Sequence, residues 1–153
     1  MDCGSLDRII STPSVGDQAR RQALRELIQN GCLSSLYTHA YTSSRMDWIR
    51  NFSLLALTKF ATLNTEALEV AITLQDEEIL LDRELDKKNL KKEAARLLFL
   101  FTSTPKKPRV FKKISLMGLI AGDHWNYCEE LENDPNSENW IVKTIIAAKK
   151  TKK

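Results

Sequence analysis

The stretch 44–63 constrains the fold more than any other. Ile49, Phe52, Ala56, Phe60 and Leu63 recur at helical spacing on one face, while Leu54, Leu55 and Leu57 occupy the others. A helix that is apolar all round has no face to turn toward water, so the spacing predicts a helix at the centre of a domain. Ser44-Arg45-Met46-Asp47 resembles a capping box in its Asp form and marks its start.

Such a helix needs other elements around it, and the rest of the chain reads as helical. Residues 15–30 carry Ala19, Ala23, Leu24, Leu27 and Ile28 as a stripe and end at Gly31, where a left-handed cap is expected. Residues 32–41 repeat the pattern more weakly with Leu33, Leu36, Tyr37 and Ala40. Asn64 or Thr65 opens a short helix with Leu68, Ala71, Ile72 and Leu74 inward, and the acids Asp76, Glu77 and Glu78 suit the positive end of a helix running on toward Phe101. Thr102-Ser103-Thr104-Pro105-Lys106-Lys107-Pro108 is the clearest loop, because proline excludes the helix interior and biases the residue before it toward extended geometry. Residues 110–121 read as a helix or a short strand, with Gly118 weakening the helix. Residues 123–132 and a last segment from near Ser137 close the chain as helices, the first burying Trp125, Cys128 and Leu131 and the second Trp140, Ile141, Ile145 and Ala148.

The expectation is an all-α, compact single-domain bundle of six to seven helices spanning 1–148, with an exposed loop over 102–113 and a basic C-terminal tail over 149–153. A small α+β domain is the alternative if 110–120 pairs as strands. Trp48, Trp125 and Trp140 are expected at the periphery, and no repeat of solenoid period is legible. With 153 residues, 42% of them hydrophobic, the chain holds enough apolar surface for a core without metal or disulfides, and no stretch reaches the length of a bilayer span.

Three cysteines, Cys3, Cys32 and Cys128, are odd in number and far apart, which argues against a disulfide framework and for a reducing, cytoplasmic or nuclear setting. The first residues hold an acid at Asp2 and no secretory or transit pattern. Nucleophilic catalysis has only His39 and His124 to draw on; His124 with Cys128 is the one conceivable dyad, and packing of Cys128 as a small hydrophobe beside Trp125 is the stronger reading. The spacing offers no second Cys/His pair for zinc and no glycine-rich phosphate cradle, so neither metal nor cofactor is expected.

The charges carry more. A net charge of +3 conceals blocks: 66–86 is acidic with Arg83 as its one cation, 87–113 is basic with Glu93 as its one acid, and 143–153 is basic throughout. On a helix, Lys87/Lys91, Lys88/Lys92 and Lys92/Arg96 are like-charge neighbours whose repulsion an anion would relieve, although Glu84 and Glu93 also offset it. Pro105-Lys106-Lys107-Pro108-Arg109-Val110-Phe111-Lys112-Lys113 resembles a nuclear localisation signal, and the same chemistry suits a phosphate backbone. The candidate nucleic-acid site is therefore Lys88, Lys92, Arg96, Lys106, Lys107, Arg109, Lys112 and Lys113 on phosphate, with Phe111 stacking on a base. The leading expectation is a non-enzymatic regulatory protein that binds nucleic acid, RNA ahead of DNA. The second is a helical protein–protein adaptor, a viral accessory factor or a homodimer, offering its acidic stretch 76–86 or an apolar groove.

Asn139-Trp140-Ile141-Val142 resembles the Asn-Trp segment of the first homology box of the Bcl-2 family, over four residues and without the Gly and Arg of that box. The resemblance implies capture of a partner helix in an apolar groove.

Overall fold

The computed structural model describes residues 1–152. It is 64% helical, with eight helices and one small two-stranded sheet. The helices are α1 (Cys3–Ser11), α2 (Asp17–Gln29), α3 (Leu33–Tyr41), α4 (Asp47–Ala61), α5 (Lys87–Ser103), α6 (Arg109–Ala121), α7 (Trp125–Asn133) and α8 (Asn139–Thr151). Two strands, β1 (Ala71–Leu74) and β2 (Glu77–Leu80), lie between α4 and α5. As the periodicity of 44–63 requires, α4 is central: Ile49, Phe52, Leu54, Ala56, Leu57 and Phe60 are fully buried. Trp48, Trp125 and Trp140 pack against the core from its edge, half-buried.

The helices form four hairpins whose connections, 12–16, 42–46, 104–108 and 134–138, have equal length. Thr12, Thr42, Thr104 and Asp134 each end the first helix in extended geometry, and Gly16, Met46, Pro108 and Glu138 each precede the second with nearly the same φ and ψ. The links between hairpins recur as well. Cys32 N–H donates to Leu27 O at 2.9 Å after α2, and His124 N–H donates to Leu119 O at 2.9 Å after α6. Each link turns on a left-handed residue, Gly31 at φ 68° and Asp123 at φ 58°. Each hairpin packs on its neighbours in the chain, first on second, second on third and third on fourth. The architecture is therefore a short stack of helical repeats interrupted by the strands, which corrects the expectation that no repeat is present.

Equivalent positions share burial rather than residue type. Leu6, Leu36, Leu98 and Cys128 are buried alike in the first helices, and Ala23, Ser53, Ser115 and Ile145 in the second. Arg20, Arg50 and Lys112 also correspond, and all three are buried. Arg20 Nε donates to Ile10 O at 3.0 Å and Arg50 Nε to Ala40 O at 2.9 Å, so each guanidinium answers a carbonyl at the C-terminal end of its partner helix.

Residues 71–80 form a β-hairpin where the sequence predicts a helix and its restart. Gln75 and Asp76 take φ of 48° and 67°, the left-handed pair that a two-residue turn demands. Ile72, Leu74 and Ile79 point into the core. β1 lies on α4 and β2 on α2. Glu77 closes the contact, accepting from Arg21 Nε at 2.8 Å and Arg25 Nη1 at 2.9 Å. Residues 110–120 are helical, so the strand alternative fails there.

Cys3 and Cys32 are joined as a disulfide, Cα to Cα 6.0 Å, against the expectation from spacing. The turn after α2 carries Cys32 back beside the start of α1, a proximity that sequence distance conceals. A half-buried polar cluster also fastens α1 to α3. His39, 1% exposed, places Nε2 2.8 Å from Asp7 Oδ1, and Ser35 Oγ donates to Asp7 Oδ2 at 2.9 Å. Arg45 Nε donates to His39 Nδ1 at 3.2 Å, so the ring is neutral with its proton on Nε2.

Two outcomes follow from this packing. A Cβ added at Gly118 would stand 2.6 Å from Thr58 Cγ2 and 2.9 Å from Leu98 Cδ1. Overpacking of roughly 1–3 kcal/mol outweighs the helix-propensity gain of about 1 kcal/mol. Gly118→Ala is expected to lower the urea-unfolding free energy by up to about 2 kcal/mol, and Thr58→Ala in the same chain to recover part of it. Burial, together with the charges of Arg45 and Arg20, holds His39 below the ordinary histidine value against the opposing pull of Asp7. The unfolded imidazole then takes a proton that the folded one refuses, so stability present above about pH 6.5 falls as pH drops below it. Urea titrations across pH 7 to 5 should show that loss, with a shallower slope in His39→Gln.

Candidate functional site

Three of the eight candidate cations, Lys107, Arg109 and Lys112, reach across to another hairpin. The proline loop ends at 108, and Arg109 to Lys113 form the first turns of α6. Lys107 Nζ donates to Tyr41 O at 2.6 Å, at the end of α3, and sits over the Tyr41 ring. Arg109 lies over the Trp140 ring at 5.0 Å. Phe111 is buried beneath the Arg50 guanidinium, 4.6 Å from its ring centroid, so it is not presented for stacking on a base. Lys112, 3% exposed, gives its ammonium to Glu138 Oε1 at 2.8 Å and is not presented to phosphate. Arg96 is held by both carboxylate oxygens of Glu93.

Lys88, Lys92, Lys106 and Lys113 stay exposed and have no carboxylate partner among the described residues. Lys88 and Lys92 sit in the first half of α5, whereas Lys106 and Lys113 follow its far end, with about 20 Å of helix between Lys88 and Lys106. In the tail, Lys149 donates to Glu132 at 2.7 Å and Lys152 lies over Trp125, while Lys150 is exposed. Lys153 lies outside the described residues. The acidic stretch is partly spent too, since Glu77 already faces Arg21 and Arg25.

An open apolar groove of about 500 Å³ lies between α4 and α6. Leu55 and Thr58 of α4 and Ile114, Met117 and Ala121 of α6 form its walls, and Gly118 allows the two helices to close its floor. Val110 is 64% and Met117 45% exposed on its rim, unusual values for two large apolar side chains on one helix face. Lys59 and Lys113 flank it. Periodicity predicted none of this, because an apolar residue on a rim and one in a core recur at the same spacing.

The conceivable dyad is not assembled. His124 Nε2 is engaged on Ala61 O at 2.8 Å, and burial pushes the Cys128 thiol up to about 11, away from the thiolate that a nucleophile needs. Among the described residues no group of three His, Cys, Asp or Glu side chains could hold a metal ion, and no helix is long and apolar enough to cross a membrane. Comparison with protein-family models, curated proteins and solved structures finds no match to the chain.

The division between engaged and free cations is measurable. Glu138→Ala strips a buried ammonium of its acceptor and is expected to cost about 1–2 kcal/mol, the lower part of the range for charged hydrogen bonds because Glu138 is itself half-exposed. Lys113→Ala should stay within about 0.5 kcal/mol of the parent chain in the same urea titration.

Proposed function

We propose that the chain is a non-enzymatic interaction protein whose α4–α6 groove docks a segment of a partner protein. The open apolar groove carries this reading. Stacked helical repeats use such surfaces between neighbouring units, and the chain's own β-hairpin covers the preceding pair of second helices, α2 and α4. What the chain covers over α2 and α4 it leaves open over α4 and α6. Regulation through such docking requires no catalytic group.

Nucleic-acid contact is the second reading, favoured by the exposed cations Lys106, Arg109 and Lys113 around the start of α6. Three phosphate contacts to single-stranded RNA would give a slope of log K against log salt of about −2.

Affinity capture compares the parent chain with a Val110→Glu/Met117→Glu variant. Both side chains are exposed, so circular dichroism and melting should be unchanged. The docking reading expects specific proteins retained by the parent chain and lost by the variant. An identical set from both contradicts it. Binding of an unstructured RNA with the stated salt slope, indifferent to the groove variant and lost in Lys106→Glu/Lys113→Glu, places the second reading ahead.

A further inference from the structure

We propose that the α4–α6 groove receives an extended strand of a partner protein, which adds to the free edge of β1. Alternate apolar side chains of that strand enter the groove, and a carboxylate of it meets Lys113. The inference rests on the docking reading above and names how the partner is held.

The sheet has two strands, so β1 is paired on one side only. Leu81 N–H donates to Val70 O at 2.9 Å, which sets the phase of the ladder. Antiparallel pairs alternate between bonded and non-bonded, so Ile72 with Ile79 and Leu74 with Glu77 are bonded pairs. Ala71 and Thr73 then turn their N–H and C=O groups away from β2, and both residues are exposed. Neither Lys nor Pro blocks the strand Ala71–Leu74, the residues that usually guard an edge.

That edge borders the groove. β2 lies on α2 and β1 on α4, which puts the unpaired side of β1 toward α6. Lys59 and Thr62 line both the groove and the cleft beside Ala71 and Thr73. A strand laid along β1 therefore passes over the groove, as β2 passes over α2. The chain supplies the chemistry of its occupant by example. β2 sends Ile79 inward and sets Glu77 on Arg21 and Arg25 of α2. Lys113 holds in α6 the place that Arg21 holds in α2, and Ile114 and Met117 offer apolar contact beside it. The fitting partner is thus an extended segment that carries an acid and apolar residues at alternate positions on one face, as Glu77 and Ile79 stand in β2, its main chain bonded to Ala71 and Thr73.

Selection of a random peptide library on the immobilised full chain tests this, followed by affinity measurement with the selected peptides. Expected are peptides with an acid and apolar residues at alternate, same-face positions that shift the Ala71 and Thr73 amide signals. Their affinity should fall at least tenfold on Thr73→Pro, which removes an outward N–H and leaves the pairing with β2 intact, and on Lys113→Glu. Exchanging the peptide's acid for lysine should restore binding to Lys113→Glu, a readout that does not depend on the proline variant folding. Peptides with helical i, i+3, i+4 spacing that lose affinity on Met117→Glu but not on Thr73→Pro would overturn strand addition while leaving the docking groove. Failure of every selected peptide to respond to Met117→Glu would remove the groove with it. Concentration-dependent dimerisation abolished by Thr73→Pro would assign the edge to a second copy of the chain and overturn the proposal.

Discussion

The burial of α4 governs the rest of the molecule. Its apolar side chains leave it almost no face for water, and each Leu or Phe placed in the interior contributes about 1.5–3 kcal/mol. The helix is therefore walled by α3 and α2 on one side, by α5 and α6 on the other, and by β1 across part of what remains. The strip of Leu55, Thr58 and Thr62 is where the walls stop. The candidate docking groove is the remainder of that requirement: a length of the central helix whose cover the chain does not supply in full.

Around α4 the chain repeats one solution. Each hairpin places its second helix against its first through a short connection of fixed geometry, and in three of the four a cation is buried at the same point. A buried guanidinium is costly unless its N–H groups find acceptors; the carbonyls ending α1 and α3 take the Nε–H of Arg20 and Arg50, while Arg50 Nη2 is buried without a partner and the Phe111 ring lies against the guanidinium. In the third hairpin lysine replaces arginine and reaches Glu138 of the fourth instead. The same position thus fastens helix to helix in two repeats and repeat to repeat in the third. This use of charge takes Arg20, Arg50 and Lys112 out of the exposed surface.

Much of the helical framework was legible because long amphipathic or apolar periods admit one interpretation. Residues 17–29, 47–61 and 139–151 fold where the spacing puts them. The repeat was hidden because its positions preserve burial while residue type and size change, as from Leu6 to Cys128 or from Ala23 to Ile145. The β-hairpin was hidden because Leu68, Ala71, Ile72 and Leu74 satisfy helical spacing as readily as Ile72 and Leu74 satisfy alternation, and strands of four residues are too short to decide between them. The basic segment 106–113 misled for a different reason. Tyr41, Trp140, Arg50 and Glu138, which engage its side chains, lie far away in the chain, and local spacing carries no trace of them. The groove residues Val110 and Met117 were visible only as apolar residues of uncertain side.

Native-state hydrogen exchange tests the central claim most directly, because a stack of hairpins around one buried helix has a definite order of local stability. Amides of α4, and those of α5 and α6 packed on it, should exchange only through global unfolding, while α7 and α8, held from one side, should open at lower free energy. Equal protection along all eight helices, or earlier exchange of α4 than of α8, would contradict the account.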